Sequence, residues 1–432
     1  MRTKKILSTA VLFLLVVFFS FVNSYAQHKL VNTTHLDHLY EEISVDGKEL
    51  AIIHIYCEYP DYKLVGDSDE GIACVDDVAR AAIFYMNYSK QYNDLSARHK
   101  AAKLIEFVLH MQNENGFFNN FIFPDYSINK THQNSVALAN WWSWRAMWSL
   151  TEAYSFFEPR DKEFSGRIQR AIEKTIGAAK KHFQYEKTFV DLSGFKRPAW
   201  LPNQYASDQA ALIVIALCKY NFLLKDDSVL NLINDFCEGI MLMQEGNRKV
   251  FPFYAFMSWE NLWHGWGNSQ AYSLLCAYEI TGNKKYYDAS LNEIKHFYRY
   301  LLRKKFFNEF SLKKESGKTV LHSEKKFSQI AYGIRPMVYA SLKAAKLTND
   351  KTYSALAAEI ATWFFGNNLA KAKMYSEQTG ISFDGIISEK EVNKNSGAES
   401  TIEALLTLLS IEGDYLASSK LSEIINGKGK WK

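Results

Sequence analysis

The chain has 432 residues and a nearly balanced charge, 51 Lys and Arg against 47 Asp and Glu, net +4. With no basic block interleaved with aromatics, that balance excludes the electrostatic footprint of a nucleic-acid binder. The five cysteines are few and odd in number, which does not support a disulfide framework, and with no CxxC and no HExxH there is no standard zinc site; no metal and no cofactor is expected.

The start is basic at Arg2, Lys4 and Lys5, then apolar from Ile6 to about Val22, with small residues near Ala26. That is the pattern of a cleaved secretory signal peptide over 1–26. No later stretch is apolar for long enough to cross a bilayer. The expectation is a periplasmic or secreted protein with one mature domain, 27–432. Residues 28–70 are expected to hold the last outer helix of a ring and then an extended stretch, AIIHIYCEYPDY.

After residue 70 the chain repeats one unit. Apolar helices open at VDDVARAAIFYMNY, WWSWRAMWSLTEAY, YASDQAALIVIALCKY, WGNSQAYSLLCAYEI, AYGIRPMVYASLKAA and SGAESTIEALLTLL. Aligned on Arg80, Arg145, Gln209, Gln270, Arg335 and Ser400, they recur every 61 to 65 residues. Each interval has room for a second helix, and KAAKLIEFVLHMQ and YSALAAEIATWFF show apolar residues at helical spacing. A hairpin of two amphipathic helices cannot bury both faces alone; closing six of them into a ring does that. The fold class expected is all-α, an (α/α)6 toroid. The apolar, small-residue-rich helices form its inner ring and the Lys- and Glu-bearing helices its outer ring. Proline is scarce, at 7 residues, which suits a helical chain.

Parallel inner helices bring their N-termini to one end, with free N–H groups and positive dipole ends. The residues opening those helices therefore line one basin. Asp76 and Asp77 are adjacent at the first opening, so only one can face the centre. Glu399 opens the last helix, behind Ser396 and Gly397, which leave space in front of it. Units one and six adjoin in a closed ring, so these carboxylates are expected to meet. Two carboxylates amid rings make an acid and a base, the pair that glycoside hydrolysis needs; Asp208 is a further catalytic candidate. The substrate-binding candidates are Arg80, Trp141, Trp144, Arg145, Gln204, Tyr205, Trp263, His264, Trp266, Asn268, Tyr332 and Arg335. Indole rings stack on sugars, amides bind hydroxyls, and an Arg facing the cleft would favour uronic acids. Aromatic residues make up 15% of the chain, with 10 Trp and 25 Tyr, and serve core and cleft alike.

The sixfold pattern, CVDDVARA, MQNENGFFNNFI, WHGWGNSQA and NSGAEST together resemble the six-hairpin glycosidase superfamily, and within it bacterial members associated with glycan metabolism. The resemblance implies a toroidal carbohydrate-active enzyme; that superfamily holds inverting hydrolases, unsaturated-uronide hydrolases, lyases and epimerases. The tight DAGD-type motif of cellulase-like members is replaced here by DSDEGIACVDD. The leading expectation is a glycoside hydrolase acting on an oligo- or polysaccharide. The alternatives are a polysaccharide lyase or uronate epimerase using His or Tyr with Arg and Asn, and a non-catalytic glycan-binding protein.

Overall fold

The structure is a computed structural model that describes residues 29–183 and 186–427. The expected signal peptide lies outside the described residues.

Twelve helices alternate inward and outward. The inner helices are Val75–Tyr92, Trp141–Phe157, Ser207–Leu224, Gln270–Thr281, Arg335–Thr348 and Ala398–Glu412, called inner helices 1 to 6 below. Each is followed by its outer partner: Leu95–His110, Lys162–His182, Asp227–Leu242, Lys284–Glu293 with its continuation to Arg303, Lys351–Ala361 and Tyr415–Ile425. Successive inner helices pack on one another, and inner helix 6 packs back on inner helix 1, which closes the ring. Inner faces are built from small and branched side chains: Ala79, Ala81, Ala82, Ala210, Ala211 and Ala404 have no exposure at all. The outer helix Lys162–His182 shows the complementary pattern. Ile168, Ile172, Thr175, Ile176 and Ala179 are buried at helical spacing while Lys and Glu face outward.

The last outer helix, Tyr415–Ile425, comes from the C-terminal end of the described chain. Residues 28–70 were expected to supply it. They instead hold a six-residue helix, Thr34–Leu39, and two hairpins, Tyr40–Val45 with Lys48–Ile53 and Tyr56–Glu58 with Lys63–Val65. The run AIIHIYCEYPDY is largely extended up to Glu58, and its last four residues form the turn of the second hairpin. A helix-length apolar pattern was never present there; the outer position was inferred only from the count.

Caps explain the polarity of the ring. Every outer helix begins on an Asp or Asn whose side chain accepts a backbone N–H: Asp94, Asp161, Asp226, Asn283, Asp350 and Asp414. Four of them end short polar turns of similar sequence, YND at 92–94, TGN at 281–283, TND at 348–350 and EGD at 412–414. Inner helices 3, 4, 5 and 6 begin without any side-chain cap. Loop carbonyls take some of their first N–H groups instead, Ser258 O that of Asp208 and Ile55 O that of Ala398, at the basin end where longer loops and short β-hairpins form the walls. Inner helix 3 is the one described helix long and apolar enough to cross a bilayer. Its place is in the ring, with 78% of that window buried.

Candidate active site

The floor of the basin is a charged network centred on Arg80. Its Nη2 lies 2.5 Å from Asp77 Oδ1, 3.2 Å from Asp76 Oδ1 and 3.4 Å from Glu399 Oε2, and its Nη1 donates to Glu403 Oε1 at 2.7 Å. Arg145 also donates to Asp76, and Arg335 donates through Nε to the other oxygen of Glu403. The ring of Tyr332 is the hub: the guanidinium carbons of Arg145, Arg80 and Arg335 stand 4.8, 5.4 and 5.4 Å from its centre. Inner helices 1, 2, 5 and 6 thus meet through side chains across the toroid axis.

Burial differs sharply among the four carboxylates. Glu403 is sealed and Asp77 nearly so, whereas the Asp76 side chain is 17% exposed and that of Glu399 44%. Burial pushes Asp77 up to about 6, against the pull of Arg80, with Glu399 and Glu403 adding to the rise. Burial works against charge on Arg80 as well, but Asp77, Glu403 and Glu399 more than offset it and hold the guanidinium above its usual range. Asp77 is wedged between Arg80 and the thiol of Cys74, whose sulfur also accepts the Asp77 N–H and so caps inner helix 1. Adjacent acids have therefore separated into one that faces the basin, Asp76, and one that braces beneath it.

The small residues before Glu399 answer to the chain rather than to a ligand. A Cβ on Gly397 would stand 2.5 Å from the carbonyl oxygen of Ile55, and the buried hydroxyl of Ser396 accepts the Ser382 N–H. Asp384 accepts from Gly397 N and Ser400 Oγ, at 2.8 and 2.6 Å. It therefore fixes the entry to inner helix 6 and the aim of Glu399.

A second group lies beside this floor. Asp208 Oδ2 and His264 Nε2 are 3.0 Å apart, both almost fully buried. Burial raises Asp208 from the ordinary carboxylate range, opposed by its bond to His264. Gly267 permits the approach: a Cβ there would stand 2.2 Å from His264 Cε1 and 2.9 Å from Asp208 Cβ. Trp266 stacks on the His264 ring at 3.5 Å between centres, and its other neighbour is Trp141, 5.8 Å away. Trp141 in turn lies 5.5 Å from the guanidinium of Arg145. An aromatic wall thus joins the Asp208–His264 pair to Asp76.

Only part of the expected indole platform survives. Trp266 is exposed and Trp141 half-buried. Trp144 and Trp263 are core residues instead. Trp144 is sealed and donates Nε1 to Gln209, and Trp263 stacks on Phe310, its partner across the strands Leu262–His264 and Glu309–Glu315. Arg80, Arg145 and Arg335 are buried among carboxylates, so the expected cleft-facing guanidinium is not found. Tyr205, Tyr332 and Asn268 are buried as well, Asn268 with neither amide atom bonded. Gln204 is exposed, and its carbonyl accepts the Trp259 N–H. The acidic loop DSDEG folds on itself, with Asp67 Oδ1 accepting from Asp69 N and Glu70 N. Glu403 escaped the sequence reading. Glu403 carried a signal, a carboxylate one turn into an otherwise apolar helix.

No protein-family model matches the chain, and no curated protein matches it in sequence. Solved structures do match in fold. A sugar epimerase from a ruminal bacterium aligns with TM-score 0.62 at 12% identity, over 89% of this chain and 97% of that one. The cellobiose 2-epimerase of Spirochaeta thermophila aligns with TM-score 0.56 at 10% identity, over 83% and 89%. A family 76 glycoside hydrolase from a bovine Bacteroides thetaiotaomicron strain aligns with TM-score 0.56 at 9% identity, over 88% and 76%. The fold is the (α/α)6 toroid that these structures share. Six-hairpin toroids of both kinds, hydrolase and epimerase, share this scaffold, so the reaction has to be argued from the side chains.

Proposed function

We propose that this six-hairpin protein is an exported carbohydrate-active enzyme, a glycoside hydrolase in which Asp76 and Glu399 form the working pair. One observation carries the reading. Of the carboxylates gathered on Arg80, Asp76 and Glu399 are the two that solvent reaches, and both touch a single guanidinium nitrogen. Their oxygens therefore stand within about 7 Å of each other, a limit that suits a retaining pair, roughly 5–5.5 Å apart, and meets only the lower end of the roughly 6.5–9.5 Å of an inverting one. Asp76, held by two guanidiniums, is fitted to act as the base or the nucleophile. Glu399, with one long contact and an open side, is fitted to pass a proton to the leaving oxygen. Trp141 and Trp266 supply apolar rings beside them for the sugar face.

A second reading, sugar epimerisation, rests on the Asp208–His264 pair. The aspartate orients the imidazole, and the buried Nδ1 has no protein partner; a base held this way is suited to abstracting a proton next to a carbonyl. Sugar epimerases are among the structures that share this fold. Incubation with a glycan panel separates the reactions. New reducing ends mean hydrolysis, a change of sugar at constant reducing-end count means epimerisation, and ultraviolet absorbance of an unsaturated product means elimination. Export is supported by the basic-then-apolar start of the sequence and is tested by cell fractionation.

A further inference from the structure

Resting on the proposed site, the balance of charge in the basin points to a kind of substrate. Four carboxylates, Asp76, Asp77, Glu399 and Glu403, surround three guanidiniums, Arg80, Arg145 and Arg335. Each guanidinium is paired, Arg80 with all four acids, Arg145 with Asp76 and Arg335 with Glu403, and the donors left over, Arg145 Nε and Arg335 Nη2, are sealed from solvent. Each is also buried, at 1%, 5% and 2% exposure. An incoming sugar therefore meets no cation on the floor, and the charged groups open to it are the carboxylates of Glu399 and Asp76. Among the described residues, neither acid is paired with a lysine; their ion pairs are with Arg80 and Arg145. A uronate placed against that floor would bring a third open negative charge into a partly desolvated site. Like charges in such surroundings repel strongly because solvent screens them poorly. Releasing a guanidinium to meet the uronate would strand a buried acid, which costs more than the new pair returns. The aromatic edge, Trp141 and Trp266, recognises the apolar face of a sugar whatever its charge.

We infer that the unit held against Asp76 and Glu399 is an uncharged sugar, and that the site discriminates against uronic acids.

The test compares acidic glycans with the same polymers after reduction of their carboxyl groups, pairs that differ only in charge. Binding is read by affinity electrophoresis, which needs no turnover, and cleavage by released reducing ends. The expected result is retardation and cleavage by neutral or carboxyl-reduced members, with the acidic parents at least ~10-fold weaker. In Glu399→Gln, removing one open charge should narrow that gap in binding. A merely structural role would not move the ratio. Retardation by the acidic parents equal to or stronger than by the reduced polymers overturns the inference and leaves hydrolysis standing. Selective binding of neutral glycans without cleavage upholds the inference and sinks the hydrolase reading. No retardation and no product on any member overturns both.

Discussion

Asp76 and Glu399, from opposite ends of the described chain, converge on one nitrogen, Nη2 of Arg80, at 3.2 and 3.4 Å. The meeting requires ring closure, because it joins the first residues of inner helix 1 to those of inner helix 6. It also makes the two acids testable as a unit. Glu399→Gln keeps the shape and the contact to Arg80 while abolishing proton exchange. Turnover should fall by ~10²-fold or more, the low end for a lost general acid or base, with an unchanged melting temperature. Asp76→Asn should behave alike. A Glu399→Gln enzyme with undiminished turnover would remove Glu399 from the chemistry.

Glu403 should behave in the opposite way. It is sealed between Arg80 and Arg335 and touches no solvent. Removing it leaves two buried guanidiniums short of a partner, so Glu403→Ala should cost ~3–5 kcal/mol in denaturant unfolding. Stability comparable to the parent protein would mean that water or a neighbouring acid takes its place.

The ring was legible in the sequence because the inner helices repeat at nearly constant spacing and the polar turns between inner and outer helices recur. The capping Asp and Asn residues of those turns give the reason for the recurrence. The meeting of Glu399 with one of Asp76 and Asp77 followed from counting units, whereas Arg80, which joins them, was read as a substrate-binding residue. The fate of individual side chains did not. Trp144 and Trp266 both sit at helix openings. One faces a neighbouring helix and the other the basin, and that depends on helix rotation, which local sequence does not specify. The misplaced outer helix had the same origin: counting implied a sixth outer helix, but no periodicity located it in residues 28–70. Glycine before Glu399 was read as room for a ligand, whereas the contact with Ile55 is made by a strand connection distant in sequence.

The two tryptophans give the cleanest separation of cleft from core. Trp266→Ala removes an exposed ring, so glycan binding should weaken by ~10-fold or more with little change in unfolding free energy. Trp144→Ala empties a sealed site and should cost ~3–5 kcal/mol of stability. Equal destabilisation by both would mean that Trp266 is chiefly a lid on His264.

Glu293 predicts how stability responds to pH. It ends the helix Lys284–Glu293, accepts the Phe256 N–H at 2.9 Å, and is fully buried. Burial pushes its carboxyl up to about 8, from 4.5 for an unperturbed glutamate. Between those values the folded protein keeps a proton that the unfolded chain has released. The folded state then binds more protons, so stability from this group falls as pH rises through that interval. Asp77, raised to about 6, adds to the same slope in its lower part. The melting temperature should therefore decline between about pH 5 and pH 8. Glu293→Gln stays neutral and still accepts from Phe256, so it should flatten the upper part of the decline and leave the part below about pH 6 that Asp77 supplies. Because Phe256 leads directly into Met257 and Ser258, whose carbonyls accept from Ser207 and Asp208, ionising Glu293 loads the strand that holds the Asp208–His264 pair. Parallel melting curves for Glu293→Gln and the parent across this range would show that Glu293 titrates alike in the folded and unfolded chains.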